Sequence, residues 1–431
     1  MKKILSLLLV LCVCFSVFAN GSTEQKQETA KTEIKIWHTY GAGPGLDAVQ
    51  KIVDMYNEKN TKNIHAILTY VANQKSGNTQ TMANLMAAIA AGNPPDVALI
   101  DNFQIASWAS QDSLCELDGY MAKSGLTLDN FYDWAAEGSE YKGKTYSIPY
   151  NGDSRALVYN KEMFRKAGLD PENPPTTIAE VEEANAKLTI KDGSTYKQVG
   201  FIPWLFAGLP IYTWGWSFGG DFYDAKNNVL TIATPENIAA IQWEVDYAKK
   251  SGGKDFVNYA SGLGTGAEDP FVTGQVAMCV RGNFNLADFK RYAPDLDYGV
   301  TPIPSLKKGE NITWCGGWGW TIPKGTKNAE AAFDFINFAA SEECNEVMAQ
   351  ISGSLSPYKG VSEKVFAGDP KYTVFIDMLK VARVRPSVPV GQQLWSEFNT
   401  LLEAALIGEG DPAQMMKALD EKMNTELKKY K

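Results

Sequence analysis

Histidine is almost missing from this chain. The two present, His38 and His65, are far apart in sequence, so histidine-rich metal sites and most Ser-His-Asp arrangements lack their raw material. Cysteine is nearly as sparse. Cys12 and Cys14 fall in an apolar leader, and Cys115, Cys279, Cys315 and Cys344 are scattered with no Cys-x-x-Cys spacing, which excludes a disulfide framework and a dithiol or zinc motif. These four read as buried or part-buried thiols, and whether any two pair is left open. No Lys/Arg run exceeds two residues, and 41 basic residues face 50 acidic ones for a net charge of -9. Nucleic acid and anionic membrane surfaces need a concentrated basic patch, so both are poor partners. The HExxH pattern is absent, and Gly262 to Gly266 lacks both the GxGxxG spacing and a strong preceding strand.

What is present suits a soluble globular protein: 45% of residues are hydrophobic and 21% charged. At 431 residues the chain exceeds the ~250–300 at which single cores stop growing, so two domains or lobes are expected. The excess is aromatic, with 11 Trp, 19 Tyr and 19 Phe, and such flat rings suit a binding surface. Residues 1–19 carry Lys2-Lys3, an apolar run from Ile4 to Phe18 and Ala19 before a polar stretch. This is the layout of an export signal cleaved after Ala19, and the run is shorter than the ~20 residues of a membrane span. Both leader cysteines lie inside the run rather than after it, which disfavours lipid anchoring. Residues 20–32 are polar and read as a flexible tether.

Glu33 to Trp37 is β-prone, and Leu46, Val49, Ile52, Val53 and Tyr56 then recur at helical spacing. A second strand over Ile64 to Val71, a helix over Met82 to Ala91 and a strand over Pro95 to Ile100 follow. This alternation predicts parallel strands covered by helices. Ligand groups gather at the carboxyl ends of such strands, so His38, Tyr40, Asp101 and Asn102 are expected on one rim. The stretch Tyr146 to Lys161 reads as a crossing between lobes. Helices are expected over Ile178–Leu188, Glu236–Lys250, Ala329–Ala340, Trp395–Ile407 and Pro412–Lys428. Gln275 to Phe284 reads as a strand followed by a turn, and further strands are expected over Tyr298–Ile303 and Thr313–Pro323. The aromatic and glycine-rich stretch Trp204 to Tyr223 argues against a simple core helix.

A sugar offers an apolar C–H face ringed by hydroxyls, and a stacked ring with carboxylate, amide and guanidinium groups holds it. Trp204, Trp214, Trp216, Trp314, Trp318 and Trp320 lie near polar groups such as Asp101, Asn151, Asp153, Arg281 and Asn283, so the composition suits a carbohydrate site. Paired carboxylates of a glycoside hydrolase are an alternative source of the same composition. A surface adhesin is a third. No cluster implies a metal or organic cofactor.

The segments GNPPDVALIDNFQIASWA, YSIPYNGDSRALVYNKEMFRKAGLDPENPPTT, WSFGGDFYD, GQVAMCVRGNFNL, YGVTPIPS and GWGWTIPKGTKNAEAAFDFINF carry a resemblance. The chain closely resembles the extracellular solute-binding proteins of ATP-driven sugar importers, the family that includes maltose-binding and glycerol-phosphate-binding proteins. The resemblance implies an α/β periplasmic-binding-protein fold, type II-like, with two lobes, each a mostly parallel sheet flanked by helices, and hinge strands between. It puts residues 33–151 and 315–352 in the first lobe and 152–314 and 353–431 in the second. It also implies a non-enzymatic, exported, periplasmic monomer that closes on a carbohydrate and delivers it to an inner-membrane permease. Carried over by position, the ligand site takes His38, Tyr40, Gly41, Asp101 and Asn102 from the first lobe. Tyr150, Asn151 and Asp153 stand at the crossing. Trp214, Trp216, Arg281, Asn283 and Arg385 face from the second lobe, and Trp318 and Ser354 sit near the return crossings. Phe284 stands where the family commonly has another aromatic such as Trp, so the resemblance implies a sugar class and not a particular sugar.

Overall fold

The computed structural model describes residues 31–71, 79–193, 195–205 and 210–430; the leader 1–19 and most of the tether 20–32 lie outside them. The first sheet is built from β1 (Thr32–His38), β2 (Ile64–Tyr70), β3 (Val97–Asp101) and β4 (Ile148–Asp153). The second holds β5 (Arg155–Asn160), β6 (Ile190–Asp192), β7 (Thr195–Phe201), β8 (Val276–Gly282) and β9 (Tyr298–Thr301). The chain then returns through β10 (Thr313–Thr321) and β11 (Ala382–Val384) to the first sheet, whose order is β11-β10-β3-β1-β2 with β4 also paired to β10.

The principal helices are α1 (Pro44–Lys59), α2 (Thr79–Ala90), α3 (Ile178–Leu188), α4 (Pro210–Ser217) and α5 (Pro235–Ser251). They continue with α6 (Asn285–Tyr292), α7 (Ala329–Ala339), α8 (Glu342–Ser352), α9 (Pro370–Leu379), α10 (Gly391–Leu406) and α11 (Pro412–Leu427). Local chemistry explains their limits. In α1, Pro44 occupies the first turn where no N–H partner is needed, and Val49, Ile52, Val53 and Tyr56 form one buried stripe. Thr177 and Glu180 make a reciprocal capping box at α3. Helix α8 opens on the Ser341 cap and stops at Gly353, whose φ of 68 is left-handed.

Strands β1, β2 and β3 run parallel, as strand-helix-strand units dictate. The expectation of mostly parallel sheets fails in the second, where only β8 and β7 are parallel and the other pairings are antiparallel. Strands β6 and β7 follow one another as a short hairpin, which makes them antiparallel, and β5, entering from β4 across the single residue Ser154, lies antiparallel to both of its neighbours, β8 and β9. The crossing is stitched tightly. Thr313 Oγ1 accepts from the Arg155 amide at 2.9 Å and donates to the Arg155 carbonyl at 2.8 Å, clasping β5 to β10. Strand β11, which sequence order puts in the second lobe, pairs instead with the start of β10. The glycines of β10 permit the close approach of β4, since a Cβ on Gly317 would overlap the Asn151 carbonyl and one on Gly319 the Ser147 hydroxyl.

Each sheet has its own core. Ile34, Ile36, Ile52, Val97, Trp320 and Phe335 fill the first, and Leu157, Val158, Phe201, Trp214, Met278 and Val280 the second. A third cluster between α4, α5, α10 and α11 holds Tyr212, Trp216, Phe222, Trp314 and Phe398. The stretch expected not to form a core helix is therefore corrected: α4 is helical and buried along its length. All four described cysteines are free thiols. No helix among the described residues is long and apolar enough to cross a membrane.

Candidate functional site

Where the sheets meet, a cavity of about 360 Å³ opens between the loop Tyr40 to Gly45, the ends of β3 and β4, the start of α6 and the segment after β11. The carboxyl ends of β3 and β4 bring Asp101, Asn151 and Asp153 to this cleft, which is the rim that a βαβ sheet assigns to ligands. Tyr40, Gly41, Trp318, Ser354 and Arg385 also line it. Ser354 reaches the wall because left-handed Gly353 ends α8 and turns the chain.

A polar network fixes these groups. Asn151 donates to the Tyr40 hydroxyl at 3.0 Å and its Oδ1 accepts from the Trp318 amide at 3.0 Å. Asp153 accepts from the Gly316 amide at 2.9 Å and pairs with Arg155. Arg385 donates to both oxygens of Asp101, at 2.7 and 3.3 Å. The guanidinium groups also pack on rings: Arg155 lies 4.0 Å above Trp314, and Arg385 4.2 Å above Phe103 and 5.2 Å above Trp395. Burial raises the Asp101 carboxyl above its ordinary value, with Arg385 opposing the rise and the charge of Asp153 adding to it. Burial also raises Asp288 and the Tyr40 phenol. The Cys315 thiol, on β10 beside the cleft, is pushed up to about 12 by burial, so it stays protonated and is no nucleophile at neutral pH.

Several residues expected here lie elsewhere. Trp214 and Trp216 are 1% and 3% exposed and belong to the second and third cores; Trp214 donates to the Pro203 carbonyl at 2.9 Å, and Trp216 stacks on Tyr212. Neither offers a face to a ligand. Arg281 is fully buried and donates to Asp269 at 2.9 and 3.1 Å, a pairing twelve residues away that locks β8 in place. Asn283 is buried as well, and it knits the crossings: its Oδ1 accepts from the Ser154 amide at 3.0 Å and its Nδ2 donates to the Gly353 carbonyl at 2.8 Å. Tyr150 packs into the first core, edge-on to Trp320. His38 is buried against Tyr70 behind the rim, and desolvation lowers its pKa so that it stays neutral. Asn102 faces a small crevice behind β10 with Trp134 and Gly138. In each case internal packing or an internal partner claims the polar or aromatic side chain.

Sequence reasoning named Trp314 among the candidate rings and Phe284 as the family's aromatic position, but missed Arg155, Asp288 and Trp395 on the wall. Arg155 had a signal, because it stands two residues after Asp153 in extended chain and so shares its side. Phe284 and Asp288 come from the start of α6, and Trp395 from the second turn of α10, where helical spacing alone reads as core.

The cleft therefore combines part-exposed rings with acids, an amide and a hydroxyl at the junction of two α/β lobes. Residues 42–345 match the model of the bacterial extracellular solute-binding protein family. The chain belongs to this family. As a solute-binding protein it is 26% identical over 350 residues to the sn-glycerol-3-phosphate-binding periplasmic protein of Pectobacterium atrosepticum, covering 77% of this chain and 73% of that one. It is also 26% identical to the maltooligosaccharide ABC transporter solute-binding lipoprotein of Streptococcus pneumoniae, over 74% and 73% of the two chains. Among solved structures, CpMnBP1 with mannobiose bound superposes with a TM-score of 0.82 at 28% identity, covering 91% of this chain and 99% of that one. The two-lobed architecture is thus that of the sugar-binding members of the family. Maltose-bound MalE3 of T. maritima, at 22% identity and a TM-score of 0.78, shares the fold.

Proposed function

We propose that this solute-binding protein captures a carbohydrate in the cleft between its lobes and presents the closed form to an ATP-driven permease. The observation that carries this reading is the lining: Asp101, Asn151, Asp153 and Ser354 offer hydrogen-bond groups beside the part-exposed rings of Tyr40, Trp318 and Trp395. Hydroxyls satisfy the first set and sugar C–H faces the second. The mannobiose bound to CpMnBP1 and the names of the maltooligosaccharide- and glycerol-phosphate-binding relatives support a small polyhydroxylated ligand. A ligand touching both lobes stabilises the closed state through contacts it makes only there. In this reading the chain acts as a monomer outside the cytoplasmic membrane, cleaved after Ala19 without a lipid anchor, and performs no catalysis. Asp101 and Asp153 are each committed to an arginine of the chain itself, which leaves neither free as a hydrolytic acid or base.

Thermal-shift screening of mono-, di- and oligosaccharides tests this, because a ligand at 100 times Kd stabilises the folded state by ~2.7 kcal/mol. Solution scattering on a hit should show compaction. Release of reducing sugar from the same panel would replace the binding reading with a hydrolase, and a lipid-modified cysteine in mass spectra of the native protein would replace the free exported form.

A further inference from the structure

Both guanidinium groups on the cleft wall are already spoken for. Arg385, 5% exposed, holds both oxygens of Asp101, and Arg155, 6% exposed, pairs with Asp153 while its Cζ rests 4.0 Å over Trp314. An arriving phosphate or carboxylate would have to displace a carboxylate held in a sheltered, ring-backed pair. That would leave the aspartate buried without a counter-charge, which is strongly unfavourable. No lysine lines the cleft. At the mouth, Arg291 is taken up by Asp47 in the first turn of α1, and the N-terminus of α1 opens with Pro44, which has no N–H to offer an anion. Opposite it, Asp288 in the first turn of α6 lines the cleft and forms no ion pair among the described residues. Three acids against two arginines leave the lining with a surplus negative charge, and Asp288 is its source.

Resting on the carbohydrate reading, we propose that the cleft selects uncharged sugars and excludes phosphorylated or carboxylated ones, with Asp288 as the residue that enforces the exclusion. This sets the chain apart from its glycerol-phosphate-binding relative despite their 26% identity. The hydroxyls of an uncharged ligand can donate hydrogen bonds to the outer lone pairs of Asp101 and Asp153 without breaking either ion pair, and Asp288 accepts from a hydroxyl where it would repel an anion.

The test is calorimetric titration of the mature protein at low ionic strength with mannobiose, maltotriose and cellobiose as neutral probes and sn-glycerol 3-phosphate and glucose 6-phosphate as anionic ones. At least one neutral probe should bind, and both anions should bind at least a hundred-fold more weakly than it does. Asp288→Lys, with its fold verified by circular dichroism, should bind the anionic probes at least ten-fold more tightly than the parent while losing affinity for the neutral one. An anion that binds the parent as tightly as any neutral sugar sinks the exclusion but leaves the carbohydrate reading standing. Unchanged anion affinity in folded Asp288→Lys removes Asp288 as its source. If neither set binds, the carbohydrate reading falls and this inference with it.

Discussion

Removing the guanidinium of Arg385 should expose how much of the cleft wall depends on one ion pair. The side chains of Arg385 and Asp101 are 5% and 14% exposed, and the pair joins the end of β3 to the segment after β11. Exposed pairs contribute ~0–1 kcal/mol. Here burial decides for the other regime, in which deleting one partner strands a charge at a cost of about 3–5 kcal/mol. Loss of the stem packed over Phe103 and Trp395 adds to this. Urea denaturation of Arg385→Ala should therefore show a drop of that size, whereas Asp101→Asn with Arg385→Met should recover most of it, because no charge is then left unpaired. The pH dependence supplies a second check. Burial already raises Asp101 above the ordinary 3.8, and Arg385 works against that rise. Without the arginine the folded value climbs further. Stability tied to a raised carboxyl is complete below the unfolded value and is lost as pH rises through the folded one. The deficit of Arg385→Ala should thus be largest at neutral pH and narrow on acidification toward 3.8. A deficit under ~1 kcal/mol at neutral pH, or one that widens in acid, refutes the reasoning.

Two tryptophans should separate core from cleft: Trp216→Ala should cost ~3–5 kcal/mol of stability as a core truncation, while Trp318→Ala should weaken sugar binding about ten-fold with a much smaller change in melting. Equal melting losses would contradict that division. Glu244 on α5 is wholly buried, its carboxylate oxygens have no hydrogen-bond partner among the described residues, and desolvation raises its pKa well above 4.5. Replacing it with Met, similar in size, should stabilise the protein by roughly 1–3 kcal/mol at neutral pH, with the gain shrinking as pH falls to 4.5 and the parent carboxyl becomes neutral; a pH-independent gain would refute this. Across the cleft mouth, Arg291 of α6 pairs with Asp47 of α1 at 2.6 Å, joining helices of the two lobes. Arg291→Glu should speed ligand release a few-fold at low salt, Asp47→Arg in the same chain should reverse this, and a salt-independent effect would exclude a latch.

Local chemistry made much of the architecture readable. The Thr177–Glu180 box, the Pro235 start and the Pro412 start gave α3, α5 and α11 limits within a residue or so of expectation, because caps and helical spacing act within a few positions of the chain. The first three strands were equally legible, since strand-helix alternation forces parallel neighbours and places Asp101 at a carboxyl end, although of the expected rim only Tyr40 and Asp101 line the cleft. The same local signals could not sort the tryptophans. Trp216 and Trp318 both lie beside glycines in aromatic stretches, yet α4 buries the first in a third core and β10 leaves the second on the cleft.

What the residues themselves determined was the class of protein: a two-lobed length, a surplus of rings and acids, too few histidines for a metal site, and the family segments from GNPPDVALIDN to GWGWTIPKGT. What only the tertiary structure decided was ownership of each polar group. Arg281 was lost to Asp269 and Asn283 to Ser154 and Gly353, while Arg155, Asp288 and Trp395 were brought to the wall by elements far apart in sequence. The physical reason is that a buried hydrogen-bonding group must find a partner wherever packing offers one, and the nearest partner in space is set by how sheets and helices meet, over separations that no local pattern encodes.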